Sequence, residues 1–575
     1  MGIVDDLMQL QARLAYERAQ WEDAWQDCVN LAMPYASHRY DFGGGTVQSS
    51  LTGIAREPAA ARRSKEIYDG EAVWASERLA GGVESTVSPR SQKWQDFVLD
   101  GPFSPDPTDV EEEWLDRLRD YNFGVRYDAR CNFALANQKA IRSAVTLGTG
   151  VLYSEENLGR KGIDPVRVPF FYRFVPVIEC YLGIDAYDDV DRCVRISEMT
   201  ASGAAAYFGA DNLSQKVRDA AKDLKRSQDT FTFIHAVIPR DEAGDYKAKR
   251  AGMAYASFWA EVETRHLIRD SGFFTFPYQV MWWDQVDNSP YGQSPIMSIL
   301  GDVKMLQAMS KSALQAAQQM VKPPLATMAG MYNQRLNLNP GAVNPGYIDD
   351  AGRMKAQPII TNQNPSFAEN LMELKRQGIR RSTYVDLFQT LVQNPNMTAT
   401  EAIIRANEKG ELLGPAGAKI EAAHSKCTER EIDIIQRKGA FDSGSPLAAP
   451  DDAVGRSVGV RSTGPLARLR RMQELQGVES VMQMAGMFAQ YSPEAAADVM
   501  DRIDHDETLE IAREVRGAPR KMFRTDEEVA ERRQARVQQQ EQAASVQMME
   551  QMAGAAGKAT PAIQAALQAN QVAAA

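Results

Sequence analysis

The sequence has 575 residues, 44% of them hydrophobic, and a formal net charge of −11 at pH 7. This length exceeds one ordinary hydrophobic core, so we expect several subdomains. Net negative charge argues against tight, sequence-independent DNA binding, which depends on lysine and arginine displacing counterions from phosphates. Mild net acidity by itself is common among soluble proteins.

Membrane and export signals are missing from the sequence. No run of eighteen apolar residues is present, so no transmembrane helix is predicted. The start, MGIVDDLMQL, lacks the basic region of a signal peptide. Five scattered cysteines form no C-x-x-C motif, which favours free thiols in a reducing compartment.

Residues 1–150 are predicted to be mainly helical. Apolar residues at helical spacing begin near the N-terminus, and Met33-Pro34 ends this pattern. A second helix is predicted over residues 64–87. Thr108 or Asp109 is predicted to cap a third, whose first turn carries three glutamates, where the helix dipole favours anions.

Residues 151–290 have the pattern of a small, mostly antiparallel β unit. Runs at 166–175, 230–237 and 255–268 are rich in β-branched and aromatic residues and partly alternate. A short helical insert is predicted at 200–225.

An aromatic cluster follows this β unit. A base-stacking platform would need interleaved basic residues, which the cluster lacks, so we predict packing in a core or against a subunit. Its members are Phe273, Phe274, Phe276, Tyr278, Trp282 and Trp283.

Two long helices with an irregular segment between them form the next part. Residues 295–322 keep a helical period, with Pro295 at the first helical position, until Pro323-Pro324 ends the pattern. A return helix is predicted over 366–393, with Ser366 as N-cap. At about 1.5 Å per residue each is about 40 Å long. Such a rod cannot bury much core alone, and copies of itself are its simplest neighbours.

A further helix is predicted after the return helix. Thr398 and Glu401 form a capping box, Gly414-Pro415 predicts either a kink or a new start, and Gly439 closes the pattern. His424 and Cys427 share one face, but zinc needs four ligands, so we interpret both as core positions.

The C-terminal part is predicted to be helical after a linker. Residues 443–463 have linker composition, and helices are predicted over 466–516 and 527–552. The Ala/Gln-rich tail is either a continued helix or disordered. The fold class predicted for the whole chain is mainly α with a β-rich subdomain, that is, α+β.

Catalytic motifs are absent from the sequence. No phosphate-binding loop, H-E-x-x-H or G-x-S-x-G occurs. The aspartates at 188, 189 and 191 are interpreted as a turn between strands, and those at 501, 504 and 506 lack the glycine and glutamate of a calcium loop. We therefore expect no enzymatic activity, no cofactor and no metal site.

Several long blocks of the sequence resemble one known family. They are YDGEAVWASERLAGGVESTVSPRSQKWQDF, NFALANQKAIRSAVTLGTGVLYSEE, YGQSP followed by LGDVKMLQ, and NMTATEAIIRANEKGELLGPAGAKIEAAHSKCTEREIDIIQRKGAF. Together they resemble the podovirus-type head-to-tail connector, the portal protein of short-tailed bacteriophages. The resemblance covers about residues 10–440, and the last part resembles the family only in composition and helicity.

The resemblance implies a ring of twelve copies at one capsid vertex, with double-stranded DNA passing through its axis. It implies contacts with the terminase large subunit, a tail adaptor, and the major capsid and scaffolding proteins, but no membrane. The protein would assemble in the host cytoplasm and reside in the virion. The implied parts are a helical wing region (1–150), a β-rich wing subdomain (151–290), stem helices (291–322 and 366–393), a clip (323–365), a channel loop with a wing helix (394–440) and a helical crown with its tail (441–575).

The resemblance also places a loop in the channel, made of Asn394, Pro395, Asn396 and Met397. Basic residues of the helix pair form two groups, one sharing a helical face and one clustered on the return helix. Some of them are hypothesised to face the channel or a subunit cleft and to meet phosphates; the alternatives are a solvated face or salt bridges to a neighbour's Asp302, Glu369 or Glu373. These residues are Lys304, Lys311, Lys322, Lys375, Arg376, Arg380 and Arg381.

Two other functions remain open from the sequence. One is a different ring-forming neck or adaptor protein, with the same rod but another copy number. The other is a motor or nuclease subunit of packaging, against which the missing phosphate loop and the lack of an acidic metal site argue.

Overall fold

The structure is a computed structural model. It describes residues 2–36, 63–100, 107–158, 164–165, 167–244, 252–321, 325–327, 351, 353, 356–358, 365–386, 399–453, 455–491, 503–516, 522–524, 528–545 and 548. The chain divides into two compact units. The first contains Met1–Pro102, Leu115–Ala449 and Val454–Arg470, and the second contains Phe103–Trp114, Pro450–Ala453 and Arg471–Ala575.

Helices and antiparallel strands both contribute, so the predicted α+β class is confirmed. The helices are α1 (Ile3–Ala32), α2 (Glu71–Val87), α3 (Asp109–Arg126), α4 (Phe133–Leu147), α5 (Ala201–Phe208), α6 (Gln215–Lys222), α7 (Pro295–Ser298), α8 (Leu300–Val321), α9 (Pro365–Ser382), α10 (Ala399–Arg437), α11 (Pro465–Tyr491) and α12 (His505–Arg516). Residues 528–545 are also helical. The strands are β1 (Gln95–Asp100), β2 (Thr149–Glu156), β3 (Phe170–Val175), β4 (Cys180–Ile184), β5 (Val190–Thr200), β6 (Thr230–Pro239), β7 (Tyr255–Glu261), β8 (Leu267–Phe273), β9 (Tyr278–Trp282), β10 (Asp284–Gln285), β11 (Gly292–Gln293), β12 (Leu325–Thr327), β13 (Ala356–Pro358) and β14 (Ser457–Ser462).

The N-terminal helices follow the local signals of the sequence, with one correction. The amide of Met33 bonds to the carbonyl of Val29 where α1 ends, as predicted. Thr108 and Glu111 cap α3 reciprocally, because each side chain accepts from the other's backbone amide. Residues 63–65 are helical, but the predicted helix is interrupted and resumes at Glu71, where Asp69 accepts from the Glu71 amide.

A five-stranded antiparallel sheet confirms the predicted β unit. Its order is β4-β5-β6-β7-β8, so every strand pairs with its neighbour in sequence. The predicted helical insert is α5 and α6, which cover one face by packing against Phe233 and Trp259. The first half of α1 covers the other face, where Leu7 packs with Ile234. Because successive side chains along a strand point to opposite faces, the strands supply apolar residues to both of these covered faces.

A second sheet has the order β3-β2-β9 and packs against α4. The junction between α4 and β2 is Gly148, whose φ of 80° is the left-handed conformation that ends many helices. A side chain at Gly148 would lie 1.9 Å from the carbonyl oxygen of Gly292. Glycine is therefore required both by the backbone angle and by this close approach.

The predicted linker at 443–463 is wrong at its C-terminal end, because it contains β14. This strand pairs antiparallel with β1, and Phe97 lies opposite Val460. The alternation of Val458 and Val460 favours a strand, but the partner lies more than 350 residues earlier in the chain. Such long-range pairing cannot be read from either short segment alone.

Helix α10 runs through Pro415 as one element of 39 residues, so the new start considered at Gly414-Pro415 is wrong. Proline costs a helix one hydrogen bond, and the buried residues that follow, such as Ile420 and Ile434, offset this loss by packing in the core. Gly439, with a φ of 76°, follows the end of the helix as predicted.

Candidate functional site

The helix pair is the candidate functional element. Its outgoing arm starts as predicted, with Pro295 in the first turn and Ser294 Oγ accepting from the Met297 amide at 3.0 Å. The arm is not one helix, however, because α7 and α8 are separated at Ile299. The Ile299 amide bonds to the carbonyl of Ile296, a tighter three-residue turn that breaks the α-helical pattern.

The return arm differs from its prediction at both ends. It begins at Pro365, which suits a first helical position, so Ser366 lies inside the helix and is not its N-cap. Helix α9 ends at Ser382, and Tyr384 has a φ of 54°, which no helix accommodates. The remainder of the predicted arm, residues 387–393, lies outside the described residues.

The two arms run antiparallel and are joined by polar and apolar contacts. Lys375 Nζ lies 2.7 Å from Asp302 Oδ1, and Ser310 Oγ lies 3.5 Å from Met372 Sδ. As the residue number rises from 302 to 310 on α8, the number of the contacting residue on α9 falls from 375 to 372, so the two helices are antiparallel.

The base of the pair is buried within its own chain. The buried side chains of Val303, Leu306, Met372 and Ile379 share one core with Trp25 of α1. Hence the pair does not rely on other copies to bury this part. Further out, Leu314 is about half exposed.

Residues 68–71, which we name the base segment, hold both arms. The Gln307 side-chain oxygen accepts from the amides of Tyr68 and Asp69 at 2.8 and 3.0 Å. From α9, Arg376 pairs with Asp69 and Arg380 pairs with Glu71, both at 2.8 Å. These hydrogen bonds raise the pKa of both guanidinium groups, which stay charged. The base segment is thereby bonded to both arms of the pair.

The predicted basic residues fall into two groups. Lys375, Arg376 and Arg380 are engaged in ion pairs within the chain, so Asp302 serves its own chain's Lys375. Lys304, Lys311 and Arg381 are exposed. Of these, Lys304 pairs with Asp27, and the Lys311 ammonium lies 5.5 Å from the ring centre of Tyr68.

Two predicted parts fall largely or wholly outside the described residues. The channel-loop residues Asn394, Pro395, Asn396 and Met397 lie there, as does Lys322. Of the predicted clip, the short strands β12 and β13 are described and pair antiparallel, with Ala326 opposite Gln357. The roles assigned to these segments stay predictions.

His424 and Cys427 are core positions, as predicted. The His424 Nε2–H donates to Asn137 Oδ1 at 2.7 Å, and burial lowers the histidine pKa to about 3. Burial raises the pKa of the Cys427 thiol to about 11. Across the described parts of the chain, no cluster of three or more candidate metal ligands is present.

The aspartates also adopt structural roles. Asp188 and Asp189 lie in the turn between β4 and β5, as predicted, whereas Asp191 lies within β5 and pairs with Arg192. Asp504 caps α12 by accepting from the Asp506 amide at 2.9 Å, while residue 501 lies outside the described part.

A buried ion-pair network was missed by the sequence reasoning. Arg126 of α3 pairs with Glu431 of α10 at 2.5 Å, and Asn122 donates to the same carboxylate at 2.7 Å. Arg126 also donates to Thr428 and Gln95. In the sequence, the feature that could have indicated this network is the position of Glu431 beside the apolar residues of α10. The network ties α3, α10 and the strand β1 together.

The aromatic cluster packs as predicted, with an addition. Tyr278 is buried and its hydroxyl lies 2.5 Å from His235 Nδ1. The guanidinium groups of Arg430 and Arg437, which come from α10, lie 5.2 and 4.4 Å from the ring centres of Phe273 and Phe274. Basic residues therefore do meet the cluster, although they are distant in sequence.

This architecture defines an α+β protein organised around an antiparallel helix pair that is anchored by ion pairs. Residues 4–523 match the family described as bacteriophage head to tail connecting protein, and the chain belongs to this family. It is 26% identical over 565 residues to the portal protein of Salmonella phage epsilon15, covering 96% of this chain and 94% of the relative. It is 25% identical over 559 residues to the probable portal protein of Bordetella phage BPP-1, with the same coverage of both chains.

Within the described residues, no helix is both long and apolar enough to cross a membrane. All five cysteines are buried and free. They are Cys28, Cys131, Cys180, Cys193 and Cys427.

Proposed function

We propose that this protein is the subunit of a portal ring at one vertex of a phage capsid. The observation that carries the proposal is the helix pair α8/α9, anchored by the base segment, in a chain that matches a connector family over most of its length. The curated relatives, named as a portal protein and a probable portal protein, align with nearly the whole chain.

The pair would act as the stem that lines or surrounds the DNA channel. Its base is buried, but the outer face of α8 is exposed in the single chain, including Met305 and Ala308. A neighbouring copy in a ring of about twelve would cover such a face. Lys304, Lys311 and Arg381 are then the best candidates to meet DNA phosphates, because they are exposed, whereas Lys375, Arg376 and Arg380 are less exposed and paired within the chain.

The remaining parts follow from the same proposal. Residues 323–365 would form the clip, on which the terminase large subunit and later a tail adaptor dock, and 394–397 would project into the channel. The wing would meet capsid and scaffolding proteins, and the C-terminal helices would form a crown. The protein would supply passage and docking, and the terminase would hydrolyse the nucleotide.

The mass and symmetry of the purified assembly test this proposal. Native mass spectrometry with negative-stain class averages should show a closed ring of about twelve subunits with an axial hole. A closed ring of clearly different number, or a compact particle without a channel, would favour another neck or adaptor component. A nucleotide-hydrolysis assay adds a second test, since steady turnover by the pure protein would contradict a purely structural role.

A further inference from the structure

An exposed tyrosine stands at the tip of an acidic turn. Residues 185–189, which we name the acidic turn, join β4 to β5 and read Asp-Ala-Tyr-Asp-Asp. Tyr187 is 89% exposed. The turn is ordered by hydrogen bonds, because Asp185 Oδ1 accepts from the amides of Tyr187 and Asp189 at 2.8 and 3.0 Å. A large aromatic side chain is thus held in solvent on a rigid support.

A pocket suited to an aromatic side chain is lined in part by β7 and β8, at the opposite edge of the same sheet. Its cavity of about 160 Å³ is comparable with an engineered cavity of about 150 Å³ that binds benzene, so it fits one aromatic ring. Its lining combines apolar and aromatic side chains with charged ones, and we name it the aromatic pocket. The residues concerned include Tyr153, Leu158, Met253, Trp259, Phe273 and Phe274.

The walls of the aromatic pocket are fixed in place. Trp259 stacks on His235 with ring centres 4.1 Å apart and planes 4° apart. The Arg430 guanidinium lies against Phe273 and donates to Thr275 at 2.7 Å. Arg437 lies against Phe274 and pairs with Glu156 at 3.1 Å. A pocket held in this way needs little rearrangement to accept a side chain, which favours binding.

The pocket also offers positive charge. Arg430 and Arg437 are committed to neighbours, but Arg269 is exposed and has no salt bridge to the described residues. Arg269 interacts with the Glu155 carboxylate only through its charge, because the hydrogen bond to that carboxylate is donated by the Tyr207 hydroxyl. The lining also contains Glu155 and Glu156, so three arginines stand against two glutamates. This positive balance favours an aromatic side chain flanked by carboxylates over one without them.

The topology separates these two features. The acidic turn connects β4, one edge strand of the five-stranded sheet, whereas Phe273 lies on β8, the opposite edge. Copies placed side by side in the same orientation bring one edge towards the other. Such a head-to-tail contact uses two different surfaces and closes into a ring when the rotation between copies divides a full turn evenly, whereas a two-fold contact would pair like with like.

We propose that Tyr187 of the acidic turn inserts into the aromatic pocket of the adjacent copy of this chain, with Arg269 of that copy facing Asp188. Asp188 is the partner named because Asp189 already pairs with Lys426 of its own chain at 2.6 Å. The inference rests on the proposed ring and names a contact that would hold neighbouring subunits together. Tyrosine suits this role because buried aromatic anchors contribute much of the energy of many interfaces.

Intermolecular cross-linking tests the contact directly. One variant carries Ala186→Cys beside the tyrosine, and a second carries Leu158→Cys at the pocket. The native cysteines are all buried and will not compete. Mixing the two single variants under mild oxidation should give a disulfide-linked dimer. The matched control mixes Ala186→Cys with Tyr16→Cys, since Tyr16 is 86% exposed on α1 and should stay unlinked.

Assembly strength provides a second readout. Tyr187→Ala should lower the association constant of the subunits about thirtyfold or more, which corresponds to the cost of about 2 kcal/mol for losing an anchor residue. Tyr16→Ala is the control and should assemble normally. Unfolding curves of both variants should match wild type, because each side chain is exposed in the single chain.

The outcomes separate this contact from the ring itself. Wild-type rings together with no cross-link above the Tyr16→Cys control, and with unchanged assembly of Tyr187→Ala, would overturn the contact and leave the ring standing. A wild-type chain that stays monomeric contradicts the ring, and a specific cross-linked dimer in the same sample still supports the contact.

Discussion

Lys375 of α9 and Asp302 of α8 form a direct ion pair between the two arms of the helix pair, at 2.7 Å. Their side chains are 28% and 43% exposed, so solvent screens the attraction. We predict that Lys375→Met lowers the free energy of unfolding by no more than about 1 kcal/mol. Urea unfolding of the full chain measures this, with Asp302→Asn as the matched partner. A loss of several kcal/mol would show that the pair is far less screened than its exposure indicates.

The Arg126–Glu431 pair should behave oppositely, because both side chains are buried. Arg126→Met leaves the Glu431 carboxylate buried and unpaired, which should cost about 3–5 kcal/mol. Replacing both residues by methionine should restore much of that loss, since no uncompensated charge remains. The control is Arg130→Met, which removes a more exposed pair with Asp128. Equal losses in Arg126→Met and Arg130→Met would contradict the prediction.

Acid should destabilise the fold through His424. Its pKa in the folded protein is about 3, below the ordinary value near 6.5, so the unfolded chain takes up the proton first as the pH falls. The contribution of His424 to the free energy of unfolding is fully present above about pH 6.5. It is lost towards pH 3 by up to about 1.4 kcal/mol per pH unit.

The test is His424→Gln, which keeps a donor towards Asn137 and should show a shallower loss between pH 6.5 and 4 than wild type does. Some slope will remain, because burial also lowers the pKa of His235. His266→Gln, at an exposed position, serves as the control. Identical slopes in wild type and His424→Gln would refute the assignment.

Two glycines should respond in opposite directions to alanine. Gly148→Ala combines a φ of 80° with a clash against the Gly292 carbonyl and should prevent stable folding. Gly81→Ala, at an exposed position inside α2 with open space around it, should stabilise by about 0.5–1 kcal/mol. Soluble yield and thermal unfolding measure both, and a well-folded Gly148→Ala would disprove the tight junction.

The exposed lysines of α8 test the DNA-facing hypothesis. Lys304→Ala combined with Lys311→Ala should alter DNA packaging or retention, because positive charge near the channel would be lost. Lys304→Arg with Lys311→Arg keeps that charge and should behave as wild type. Packaged genome length and retention in assembled particles are the measurements. If the alanine variant matches wild type in both, these residues do not act on DNA.

Local signals predicted much of the fold because capping residues, prolines and periodicity act within a few residues. Pro295 at the start of α7, the Thr108 cap and the strand β6, which covers the predicted run 230–237, are examples, whereas the order of the strands in the sheet was not predicted. The strand β14 was missed because its partner β1 is remote in the chain. A new helix start was considered at Pro415 because the local sequence does not show the core packing that offsets the hydrogen bond lost at a proline.

The candidate site was predicted less completely, for the same reason. The helix pair was visible in the sequence, but the partners of Arg376 and Arg380 lie about 300 residues earlier, at Asp69 and Glu71. Without them, the basic cluster of α9 has the pattern of a DNA-facing patch. The structure instead shows that two of its members anchor the pair.

The base segment has a mechanical consequence. It contacts α8 through Gln307 and α9 through Arg376 and Arg380, and it leads directly into α2. Residues of α2 such as Leu79 are packed among those of α4 in one core. A force applied along the helix pair would therefore pass through the base segment into α2 and the core that α2 shares with α4. This path does not include Ile299, where α7 and α8 are separated. The four residues of the base segment would then transmit force between the helix pair and this buried core.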